Sequence, residues 1–232
     1  MKKLRPYMKW MAMAGGVLAG GLRQWTLSAG ENSQGLFPAN HPGWIGYLLL
    51  SAVVVALFWW LSRQKAAEAV PPRGTVYLSA VAALGLIVYN FSALQNANAI
   101  TLVACLLGFA AAAALLLDIQ KQRKSAAPFS AAFALPCLYF ALEIFLLNQT
   151  FSGETELLRF IPQILALAAG ALACYQLWGK SVGLDSANKR LFWQCCAGYL
   201  CIAAAAGCHI MYACVGLWLL FRTDALPVQE QP

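Results

Sequence analysis

The sequence predicts an all-α protein, a polytopic transmembrane helical bundle of about seven spans, within a range of about six to eight. Three observations carry this. Of 232 residues, 61% are hydrophobic and only 11% charged, where an ordinary globular chain has roughly a quarter charged. The apolar residues fall in runs close to the ~20 residues that a helix needs to cross ~30 Å of hydrocarbon. The runs are apolar on all sides and rich in Ala and Leu, whereas a membrane β-barrel needs alternation in segments of about ten.

In chain order, the spans fall at about 7–25, 44–61, 75–94, 100–118, 129–148, 159–178 and 191–221, in one transmembrane domain over 1–232 with no soluble domain. The first follows a basic stretch and reads as a retained span and not a cleaved signal, because Arg23, Gln24 and Trp25 separate its apolar run from Leu27, Ser28 and Ala29. Between the first and second spans, Gly30, Asn32, Gly35, Pro38, Asn40, Pro42 and Gly43 mark a looped connection. The short link at 95–99 forces spans three and four into an antiparallel hairpin, and 148–159 does the same for spans five and six. The last run holds 31 residues. Two full crossings and a turn would want about forty, so one long tilted helix is expected, with Gly207 and Cys208 as the break if there are two.

Orientation follows from Lys and Arg, which collect in cytoplasmic loops. Thirteen of the sixteen fall on one side of this arrangement, leaving Arg23, Arg159 and Arg222 for the other. The N-terminus is therefore expected inside, in a multi-pass protein of the cell membrane. The formal charge of +7 is accounted for by topology and by attraction to anionic headgroups. No loop is long enough for a compact basic domain, so nucleic acid is not an expected partner. The partners expected are the lipid bilayer and another membrane protein or a second copy of the chain. All eight Trp residues lie near predicted span ends, as an aromatic belt requires.

Polar residues inside spans are costly, and an intramembrane carboxylate is a functional-site hypothesis by default. Glu143 is the foremost, flanked by Leu142 and Ile144. It is read either as a proton or cation relay or as half of a structural pair with Arg159, which begins the next span at the same level. Asn90, Gln163, Gln194 and His209 are the other candidates, each able to hydrogen-bond between helices. The expected polar site is thus Glu143, Arg159, His209 and Asn90. The eight cysteines all lie within spans, without a C-x-x-C pair or zinc spacing, and read as small packing residues. No catalytic, cofactor-binding or metal-ligating residue is expected. Gly16-x-x-x-Gly20, Gly108-x-x-x-Ala112 and Ala203-x-x-x-Gly207 have the spacing that lets helix backbones approach closely.

Several stretches carry a resemblance. They are Leu22-Arg23-Gln24-Trp25, the loop Gly35-Leu36-Phe37-Pro38-Ala39-Asn40-His41-Pro42, and the hairpin from Pro128 to Tyr175 with Leu158-Arg159-Phe160. Through them the chain resembles a family of polytopic membrane proteins from anaerobic Gram-positive bacteria, to which no reaction is assigned. The resemblance covers most of the chain and implies about eight spans, but no activity.

The function expected is a non-enzymatic accessory or assembly protein, and the alternative, from a different class, is a small transporter or channel. A non-enzymatic accessory or assembly protein fits the lack of a convergent catalytic constellation. A small transporter or channel fits Glu143, Asn90 and His209. A membrane-embedded enzyme would need Asp, Glu or His clustered near an interface, and the chain has two His residues in all.

Overall fold

Eight α-helices succeed one another in the computed structural model: α1 (Met8–Ser28), α2 (Pro42–Ser62), α3 (Leu78–Leu94), α4 (Ala99–Lys124), α5 (Ala131–Phe151), α6 (Leu157–Ser181), α7 (Ala187–Ala205) and α8 (Ile210–Phe221). The structure describes residues 7–29, 41–63, 77–95, 98–124, 130–151, 157–184, 187–206 and 209–222, and no strand occurs among them. The all-α expectation is met. Local chemistry sets several helix ends. His41 is extended, its Nδ1 accepts the Gly43 N–H at 3.1 Å, and Pro42 occupies the first turn of α2, where its missing donor costs nothing. Asn98 Oδ1 accepts both the N–H and the hydroxyl of Thr101 at 2.8 and 2.9 Å, the side-chain cap that satisfies orphan donors at a helix start. Gly183, at φ 84°, ends the turn after α6 while Leu184 N–H bonds back to the Gly179 carbonyl at 2.8 Å.

The two expected hairpins, α3 with α4 and α5 with α6, are both present. From α3 each helix packs on the next as far as α8, and α8 returns to α3, closing a ring. α1 lies along α7 on the outside of this ring, and α2 packs on α1 and α7. The first and last small-residue motifs meet in the α1–α7 contact. A side chain at Gly16 would fall 2.9 Å from the Tyr199 carbonyl and 2.9 Å from Ile202 Cβ, and one at Gly20 would fall 3.2 Å from Ala206 Cβ. Gly108, from the middle motif, instead makes room for the Asn90 side chain.

The single helix expected over 191–221 is corrected to two, α7 and α8, separated at 206–209. Gly207 and Cys208, the alternative break, lie outside the described residues. The sequence argument required two full crossings, but α8 has 12 residues, about 18 Å at 1.5 Å per residue. It can be that short because it lies within the protein: Met211, Tyr212, Val215, Gly216, Trp218, Leu219 and Leu220 are all buried. A helix end inside a bundle finds protein partners that lipid would not supply. α7 is equally interior, with every residue from Gln194 to Cys201 buried.

This correction carries two others. Splitting the run reverses the chain once more, so Arg222 returns to the end of the bundle where α1 begins. There Phe221 and Trp10 stand edge to face at 5.2 Å. Arg222 therefore moves to the side that the sequence reading gave to the other thirteen, which leaves that reading with Arg23 and Arg159 on the opposite side. Trp44 and Trp218 also leave the aromatic belt. Trp44 is buried and stacked on Tyr47 at 5.3 Å, and Trp218 is buried against Phe133 at 6.4 Å.

Four helices are long and apolar enough to cross a membrane, over Pro42–Ser62, Ala99–Gln120, Ala131–Gln149 and Phe160–Ser181, while Leu78–Leu94 and Ile210–Phe221 are shorter apolar helices. α1 and α7 are of similar length but carry more polar residues, among them Arg23, Arg190 and Gln194, all buried. Large apolar side chains such as Leu49, Val53, Leu84, Phe91 and Leu106 point outward from the bundle. A bundle with its polar groups inside and its hydrocarbon outside is built for lipid.

Candidate intramembrane polar site

Glu143 projects from α5 and is 7% exposed. The Tyr89 hydroxyl, from α3, donates to its Oε2 at 3.3 Å. Tyr139, one turn earlier on α5, hydrogen-bonds the same carboxyl group. Residues four apart on a helix share a face, so the Tyr139–Glu143 pair follows from α5 itself. The α3 partner is placed by packing across the α3–α4–α5 side of the ring. Asn90, the neighbour of Tyr89, is 0% exposed. Its Nδ2 donates to the Leu86 carbonyl at 2.8 Å, its amide approaches Tyr139, and its Oδ1 has no donor among the described residues. The Tyr139 hydroxyl also faces Met211 Sδ at 4.0 Å, in the first turn of α8.

His209 stands at the α7–α8 break in extended conformation, without capping α8 through its side chain. It is exposed, and its ring meets Tyr89 edge to face at 4.8 Å. Tyr89 therefore touches both His209 and Glu143, and three of the four expected site residues converge. Arg159 falls in the first turn of α6, but its side chain lies outside the described residues, and the expected Glu143–Arg159 pair lies there with it. Among the described residues the partners of Glu143 are two uncharged hydroxyls. Gln163 is half-buried on α6.

A second polar cluster lies at the other end of α8, and sequence reasoning missed it. Arg222 Nη2 pairs with Asp118 Oδ2 at 2.5 Å, with both side chains almost wholly buried. Arg222 Nη1 donates to Ser79 Oγ at 2.9 Å, and the guanidinium lies 5.4 Å from the Phe133 ring. Gln194 Nε2 donates to the Arg222 carbonyl at 2.7 Å, satisfying an acceptor at the C-terminal end of a helix. The cluster gathers α3, α4, α5 and α7 onto the end of α8. Asp118 is the last residue of the expected fourth span and Arg222 follows the last apolar run, so both read as residues of a span end and not of an interior pair. Another buried cation acts similarly, as Arg23 Nη1 donates to the Ala204 carbonyl at 2.6 Å, where the last turn of α7 leaves carbonyls without intrahelical partners.

The cysteines behave as packing residues. The thiols of Cys105, Cys137 and Cys201 point at the carbonyls of Asn90, Ala171 and Ala166 on neighbouring helices, at 3.5, 3.4 and 3.7 Å. No group of three His, Cys, Asp or Glu side chains suited to a metal occurs among the described residues. No family model, curated protein or solved structure matches this chain.

Proposed function

We propose that this chain is a non-enzymatic, multi-pass protein of the cell membrane, with its N-terminus in the cytoplasm, and that it works as a small transporter or channel whose polar site is Glu143. The observation that supports this is the burial of Glu143 in the outer half of α5, with hydroxyls as its described partners, beside a helix break that leaves His209 exposed. An ionisable group held in a membrane bundle without a structural need marks a pathway more often than not, and interrupted helices at membrane depth accompany such sites. The fourteen basic residues now assigned to the side where α1 begins favour that side as the cytoplasmic one. The resemblance to polytopic proteins of anaerobic Gram-positive bacteria, with about eight spans, belongs to the same reading.

The test is reconstitution of the purified protein into liposomes loaded with a pH-sensitive or cation-sensitive dye. Flux is expected from the wild type and is lost in Glu143→Gln, while the variant keeps its thermal midpoint in choline chloride. Flux that is unchanged in Glu143→Gln would remove Glu143 from the pathway.

One observation favours an accessory or assembly role as a second reading. α2 is among the most apolar helices, yet only 28% of its apolar stretch is buried, and Ile45, Leu48, Leu49 and Val53 face outward along it. Cross-linking in native membranes from a photoreactive residue at Val53 would capture one partner reproducibly if this reading holds. A pure protein that moves a solute unaided would overturn it.

A further inference from the structure

We propose that Glu143, Tyr89, Tyr139 and Asn90 together form a binding site for one small monovalent cation of the alkali series. This rests on the transport reading above and names its ligand.

The donor set decides the class of ligand. The described groups that meet the carboxylate itself are the oxygens of Tyr89 and Tyr139, while the His209 ring and Met211 Sδ reach only those two tyrosines and the Asn90 nitrogen donates to the Leu86 carbonyl at 2.8 Å. Hard cations take oxygen ligands, and soft or borderline metals take sulfur and imidazole. The nearby thiol of Cys105 points at the Asn90 carbonyl and not at the carboxylate. A calcium-type site wants about six to eight oxygens, with several carboxylates among them. One carboxylate balances one positive charge, so the site fits a monovalent ion.

Asn90 is the independent observation. Its Oδ1 is fully buried and lacks a donor among the described residues, and a buried carbonyl oxygen left without a partner is costly. The amide cannot be turned to cure this without giving up the bond to Leu86. Gly108 on α4 is what allows Asn90 to lie where it does, since any Cβ at that position would collide with the Asn90 side chain. A cation between Glu143 and Asn90 Oδ1 would satisfy both. Exposed His209 against half-buried Tyr89 marks the side from which an ion would arrive.

The experiment measures thermal midpoints of the purified protein in detergent, at constant ionic strength, in lithium, sodium, potassium or choline chloride. One alkali ion is expected to raise the midpoint saturably above that in choline, by about 3–6 °C at a tenfold excess over its Kd. Glu143→Gln should abolish the increment. If that variant does not fold, Tyr89→Phe, which removes one oxygen from a half-buried ring, should weaken the half-saturating concentration severalfold. Equal midpoints in all four salts would overturn the proposal. Stabilisation by an alkali ion without liposome flux would keep the site and overturn the transport reading. Flux that needs Glu143 but ignores the alkali ion present would assign the site to protons and overturn the cation.

Discussion

Asp118→Asn should be among the most damaging single substitutions in this chain. The change is nearly isosteric, so it removes charge while leaving shape and packing in place. What remains is the Arg222 guanidinium, 2% exposed, with Ser79 Oγ and the Phe133 face as its neighbours. Two opposite charges about 4 Å apart attract by about 4 kcal/mol at an effective dielectric constant of about 20. Each ion forfeits several kcal/mol of hydration on burial, so the intact pair contributes little net stability, while loss of one partner costs about 3–5 kcal/mol. For a chain of this size, about 2–4 °C per kcal/mol converts this to a fall of about 6–20 °C in thermal midpoint. A dye that fluoresces on thiol reaction would report the transition, because Cys174, Cys195, Cys196 and Cys201 are buried and free until the bundle opens. Asp118→Asn combined with Arg222→Gln removes both charges and should recover at least half of the loss. Ser79→Ala, which deletes one neutral donor or acceptor, should cost about 1 kcal/mol. A midpoint within about 2 °C of wild type for Asp118→Asn, or a double variant whose loss equals the sum of the two singles, would refute the reasoning.

Three further outcomes are expected. Arg23→Gln should lower stability by about 1.5–3 kcal/mol, the usual worth of a charge-assisted hydrogen bond, read as a lower midpoint in the same assay. Gly16→Val should cost at least about 1–3 kcal/mol through overpacking against the Tyr199 carbonyl and Ile202, whereas Gly21→Ala, which meets nothing within 4 Å, should be neutral or gain about 0.5–1 kcal/mol. On a cysteine-free background, an impermeant maleimide added to intact cells should label a cysteine placed at Ser28 and spare one placed at Val182. Labelling at Val182 from outside would reverse the orientation.

Most helix positions were legible because lipid enforces a plain code: each stretch facing hydrocarbon must be apolar for about 20 residues, and basic loops punctuate the stretches. The code fails where protein, not lipid, surrounds the chain. The α7–α8 break falls within an apolar run and no charged residue marks it, so 191–221 reads as continuous. Gly207, Cys208 and His209 were its only visible interruption. The same miscount hid the Asp118–Arg222 pair, because the two residues lie on one side only if the run folds back. Glu143, Asn90 and His209 were legible individually, through the cost of polar groups in hydrocarbon. Tyr89 and Tyr139, which join them, were not, because an aromatic ring in an apolar span is indistinguishable from packing until its hydroxyl finds a partner.

The position of Arg222 also orders events during synthesis. Asp118, Ser79 and Gln194 leave the ribosome well before the residue that completes their cluster. Until α8 arrives, Asp118 lacks its Arg222 partner and the ring stays open between α7 and α3. A chain halted before Ile210 would lack the helix that joins α7 to α3 and, with it, the Arg222 partner of Asp118. Closure of the ring therefore coincides with formation of the ion pair, and both wait on α8.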